Sequence, residues 1–80
     1  MLTRYIEAAM SRARIEWLDD SHEYYAEIPE LAGVWATGAS RESCEVELRE
    51  VLEEWLALGI SLHHRLPVLD GVDVNVEAVA

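Results

Sequence analysis

The chain has 80 residues, 51% of them hydrophobic, and its 6 basic residues face 16 acidic ones for a formal charge of −10. That is room for one folded domain, too apolar for the disordered class and so acidic that it would repel a nucleic-acid backbone. A chain of this size buries only roughly 60% of its unfolded surface or a little more, so self-association or a partner is expected to support its core.

At the N-terminus, Leu2, Tyr5, Ile6, Ala9 and Met10 recur at helical spacing, with Arg4, Glu7, Ser11 and Arg12 between them. This pattern predicts a short amphipathic helix, with Thr3 as its cap. In ARIEWLDD, Ile15 and Trp17 alternate with Arg14 and Glu16, the period of a strand with one buried face. Asp19 to Glu23 form a polar turn, and YYAEIP follows as a second strand with Tyr24, Ala26 and Ile28 on one face and Tyr25 and Glu27 on the other. Pro29 ends regular pairing, and a short connection to Ala32 leads to a third strand with Val34, Trp35 and Thr37 between Gly33 and Gly38.

Ser40 is placed to cap a long helix, with Glu42 and Glu45 where the helix dipole favours negative charge. Cys44, Leu48, Val51, Leu52, Trp55 and Leu56 form its apolar stripe. Gly59 ends or weakens this helix, His63, His64 and Arg65 bring cations to its C-terminal end, and Pro67 blocks further continuation. After an Asp70-Gly71 turn, Val72, Val74 and Val76 alternate with polar residues as a fourth strand. The expected order is helix-β-β-β-helix-β, an α+β fold with a mostly antiparallel sheet and helices on one face.

Few of these residues point to chemistry. Glu16 and Glu27 are strand carboxylates able to approach each other, but such groups are more often solvated or paired, here with Arg14. His63 and His64 project about 100° apart on a helix and lack a completing ligand set. His22 lies in a charged turn, and the two glycines around the third strand lack the lysine of a phosphate loop. Cys44 lies in the apolar stripe and reads as a small core residue. As a lone cysteine it permits no intramolecular disulfide, and MLTRYIEAAM lacks the apolar core of a signal peptide, so a cytoplasmic protein is expected. Core packing accounts for Trp55 and Trp17. Trp35 is either a further core residue or an interface anchor on a sheet face the helices leave open. A basic protein partner suits the acidic surface; solubility alone is the other reading of that charge.

The runs YYAEIPELAGVWATGAS and ESCEVELREVLEEWL, flanked by RYIEAAMSRARIEWL and LPVLDGVDVNV, resemble the HicB-like antitoxin family across nearly the whole chain. The resemblance implies a partial RNase H-like fold without hydrolase activity, and an antitoxin that neutralises a small basic HicA-like toxin that cleaves mRNA. Many such proteins add a C-terminal DNA-binding domain after this unit; the chain stops after the fourth strand, so direct operator binding is not expected. Where relatives carry Thr-x-x-Glu at the helix start, this chain has Ser40-Arg41-Glu42-Ser43, which keeps the cap and lacks the reciprocal glutamate. On this reading the sheet surface around Tyr24, Tyr25, Glu27, Trp35 and Thr37 docks the toxin, with no cofactor or metal and with homo-oligomerisation, as a dimer or tetramer, through a strand edge or an uncovered face. The alternatives are an orphan self-associating domain and, weakest, a metal-dependent RNA hydrolase.

Overall fold

The computed structural model describes residues 2–62, 64–69 and 71; His63 and the fourth strand expected around Val72, Val74 and Val76 lie outside them. Within them the chain forms α1 (Leu2–Ser11), β1 (Arg14–Leu18), β2 (Glu23–Glu27), β3 (Trp35–Gly38) and α2 (Arg41–Ser61). The strands make one open antiparallel sheet in the order β1-β2-β3, so the fold is α+β as expected.

The hairpin between β1 and β2 turns through Asp19 to His22, where His22 takes a left-handed φ of 53°. Its register sets Ile15 opposite Ala26, and β3 then sets Ala36 beside Ala26. These three residues share the inner face. Against it lie Cys44, Leu48, Leu52 and Leu56 of α2, all buried, and α1 adds Tyr5, Ile6, Ala8 and Ala9 to the same core. Each fully buried leucine contributes about 1.5–3 kcal/mol relative to exposure. The alanines on the sheet leave α2 room to come close. At the end of β3 there is less room still: a Cβ on Gly38 would stand 2.7 Å from the Cys44 nitrogen and 2.9 Å from its Cα.

The connection between β2 and β3 is tied by its own backbone. Ile28 N–H donates to Val34 O at 3.2 Å, Leu31 N–H to Ile28 O at 2.9 Å, and Val34 N–H to Leu31 O at 3.1 Å. Gly33 supplies the turn with a φ of 90°, which few other residues would tolerate. The loop thereby turns Leu31 into the core, where it is 2% exposed. At the other end of the core, the buried Tyr5 hydroxyl donates to the Pro67 carbonyl at 2.6 Å and fastens the segment after α2 onto α1.

Four expectations need correction. Helix α1 is already formed at Leu2, so Thr3 lies inside it and is not its cap. The reciprocal half of the α2 capping box is present: Ser43 N–H donates to Ser40 Oγ at 3.0 Å, and Ser40 N–H donates to Ser43 Oγ at 3.1 Å. A serine hydroxyl thus does what the missing glutamate does elsewhere. Gly59 does not stop α2, which runs to Ser61; it is buried because Leu66 folds back over it, the leucine Cδ2 lying 2.9 Å from where a Cβ would sit. Trp17 faces the core side, as its alternation predicts, yet lies at the sheet's end and remains 46% exposed.

The two glycines therefore separate in their response to alanine. Gly38→Ala meets backbone atoms and should cost about 1–3 kcal/mol, a fall of several degrees in Tm. Gly59→Ala meets only the tip of a flexible leucine and gains up to about 1 kcal/mol of helix propensity, so thermal melts should place it close to the parent protein.

Candidate functional site

The face of the sheet turned away from the helices carries the distinctive surface. Alternation along the strands sends Arg14, Glu16 and Leu18 of β1, Glu23, Tyr25 and Glu27 of β2, and Trp35 and Thr37 of β3 to this side. The register arranges them in two rows across all three strands, Arg14–Glu27–Trp35 and Glu16–Tyr25–Thr37, and a third, Leu18–Glu23, across the hairpin alone. Trp35 is diagonal to Tyr25, and the rings stack with centroids 6.1 Å apart and planes inclined by 26°. Trp35 is 54% exposed, so the core-burial reading of this tryptophan fails. Its neighbours on the strand, Val34 and Ala36, are the ones that go inside.

Of the five residues expected at a partner surface, the structure brings together Tyr25, Glu27, Trp35 and Thr37. Tyr24 lies on the inner face instead, edge-on to Trp17 with centroids 5.1 Å apart. Four residues outside that expected set also belong to the open face: Glu16, directly across from Tyr25, Arg14, directly across from Glu27, and the pair Leu18 and Glu23 at the hairpin end. Only the pairing register reveals these neighbours, although alternation already puts them on the right side of their strands. Arg14, Glu16, Tyr25 and Glu27 line a shallow hollow of about 250 Å³. Loss of water around the Tyr25 ring raises its hydroxyl pKa above the usual value, helped by a hydrogen bond to Glu27 and by the charges of Glu27 and Glu16. The phenol therefore stays neutral through the physiological range.

The other charged groups are arranged differently. Arg12 holds Glu30 at 2.6 Å across the β2–β3 loop, and this hydrogen bond, ahead of one from backbone, keeps the Glu30 carboxyl below the usual range. Arg41 and Glu45, and Arg49 and Glu53, form exposed pairs one turn apart along α2. On the open face, Glu16, Glu23 and Glu27 make no ion pair among the described residues.

Among the described residues, no group of three or more His, Cys, Asp or Glu side chains is placed to hold a metal ion. His64 and Arg65 are exposed beyond α2, and His22 packs edge-on against Trp17 at the hairpin turn. Cys44 is buried, its thiol 3.7 Å from the carbonyl oxygens of Tyr24 and Ala36. Burial pushes its pKa up, and the charges of Glu45 and Glu23 add to that, the opposite of an activated thiolate. No helix among the described residues is long and apolar enough to cross a membrane.

The three strands, α2, the open face and the turn chemistry of residues 28–40 all lie within residues 4–67, the stretch matched by the family described as UPF0150-like. The chain belongs to that family. It is also similar to TTHA0281 from Thermus thermophilus, whose crystal structure matches with a TM-score of 0.84 at 50% identity over 90% of this chain and 89% of that one. Among proteins with curated descriptions, none matches this chain at a significant level.

The Cys44 thiol gives a direct check on the packing beneath this surface. Native protein should react with a maleimide at least about a hundredfold more slowly than protein unfolded in guanidinium, since modification must wait for opening of the core. Rapid native labelling would mean that α2 is not seated on the sheet.

Proposed function

We propose that this protein is a non-catalytic, HicB-like antitoxin that binds and neutralises a small basic HicA-like toxin in the cytoplasm. The observation that carries the proposal is the open sheet face. It presents an exposed tryptophan stacked on a half-buried tyrosine, among carboxylates that no arginine of the chain neutralises by an ion pair among the described residues. Exposed aromatics at the centre of a patch are the usual anchors of protein interfaces, and surrounding charge of one sign speeds encounter with a partner of the other. Membership of the UPF0150-like family and the HicB-like motif through residues 24–40 support the same reading. An interface of about 1,600 Å² in total is within reach of a domain this size.

A second reading, a self-associating domain without a toxin, is favoured by one specific feature. Among the described residues strand β3 lies at an edge of the sheet, and beside it is a hollow of about 410 Å³ lined by Trp35, Thr37, Glu47 and Val51. An unpaired edge is a template for another strand. The two readings are compatible if oligomerisation uses the edge and the partner uses the face.

Co-expression with a small basic protein encoded beside this one separates them. Co-purification together with rescue from growth arrest is the outcome expected of an antitoxin; failure of both would leave the self-associating domain. Within such a complex, Trp35→Ala should weaken binding by about 2 kcal/mol or more in calorimetric titration. The same variant should melt within a few degrees of the parent protein, because the ring is outside the core.

A further inference from the structure

We infer that the open face holds its partner by an arginine, whose guanidinium lies against the Tyr25 ring, itself stacked on Trp35, between the carboxylates of Glu16 and Glu27. The source of that arginine, a basic protein partner, rests on the reading given above.

Carboxylates alone would be no more than a solvated charged surface; their placement around the rings is what selects a ligand. Tyr25 sits directly across from Glu16 and two residues before Glu27 on the same face, so its ring lies between the two acids. Cross-strand neighbours have Cβ atoms about 5 Å apart and diagonal ones about 7–8 Å apart. A planar cation can therefore meet a carboxylate at either side while its flat face rests on a ring. The Trp35 indole stacks against that ring from the β3 side, its plane within 26° of the tyrosine's, and so backs the tyrosine from outside the hollow. The hollow bounded by Arg14, Glu16, Tyr25 and Glu27 is about 250 Å³, ample for a guanidinium and the end of its aliphatic stem.

The chemistry favours arginine over the other cation. A guanidinium is flat, stacks on aromatic faces and donates in a fork toward carboxylates, whereas an ammonium is a compact, strongly hydrated point charge. Arg14 is the one cation of the chain that the register places on this face among the described residues, directly across from Glu27. It lines the hollow without an ion pair to either acid among the described residues, so an incoming arginine meets it as a competing charge at the rim.

The test uses the full chain and N-acetyl-argininamide, followed by NMR at the Trp35 indole and the Tyr25 ring. The lysine and citrulline analogues serve as controls. Saturable shifts at both rings are expected with the arginine compound, smaller ones with lysine and none with citrulline, which keeps the shape and loses the charge. Changing both acids, Glu16→Gln with Glu27→Gln, should weaken the arginine response by about tenfold, while Arg14→Gln should strengthen it. Equal shifts with citrulline, an arginine response centred on α2, or indifference to the double substitution would overturn the site. So would a weaker response in the Arg14 variant. Binding of argininamide here, with no basic toxin captured, would leave the site standing and remove the antitoxin reading. A toxin complex that argininamide does not perturb at Tyr25 and Trp35 would do the reverse.

Discussion

The close seating of α2 on β2 and β3 governs where every large side chain of the sheet can go. Leu48, Leu52 and Leu56 bring the core's volume from the helix side, so the strands answer with Ala26, Ala36 and, where strand end meets helix start, Gly38. Large residues at those sheet positions would lift the helix. Tyr25 and Trp35 consequently stand on the far side, and the aromatics of the inner face, Trp17 and Tyr24, are paired at the hairpin end of the sheet. Under α2 the sheet is therefore inverted, small inside and large outside, and its outer surface there is unfinished. A tryptophan left about half exposed forgoes on the order of 2 kcal/mol of burial, which a covering molecule would recover.

Electrostatics follow the same division. The arginines on α2 and Arg12, in the turn after α1, are matched to carboxylates within reach, at largely exposed positions where such pairs add little stability. They do reduce the local charge of those regions. The sheet's outer face keeps three carboxylates against one arginine, so the field of the molecule is uneven. A basic partner is drawn preferentially toward the face that also offers the rings.

Much of this is legible in the sequence, and the exceptions have physical causes. Period-two alternation places Ile15, Ala26 and Ala36 together and sets Tyr25, Glu27 and Thr37 apart from them, because a strand leaves each side chain only two directions. The same rule cannot say whether Trp35 is covered, since coverage depends on which face the helices choose. Nor can it foresee that Trp17, on the inner side, lies too near the sheet's end to be enclosed. Leu31 escapes a reading by pattern because a loop has no period; its burial comes from three local hydrogen bonds and the φ of Gly33. Gly59 reads as a helix terminator, whereas its absent side chain makes space for Leu66. Propensity speaks of the local chain, and this glycine answers to a contact made from beyond the helix. The two acids flanking Tyr25 are both visible as strand residues, but only the register makes them neighbours of one ring.

The hydrogen bond from Tyr5 to Pro67 joins residues 62 positions apart. During synthesis at about 5–20 residues per second, the tyrosine's acceptor emerges several seconds after the tyrosine itself. Until then α1, short and marginal as an isolated helix, lacks the segment that covers the end of its core face. The nascent chain can pair β1 with β2 early, while α1 waits with its apolar side open. Completion of this domain is thus timed by the ribosome's progress through the segment after α2, and the window before it closes is when the newborn chain is most exposed to chaperones, proteases and other copies of itself.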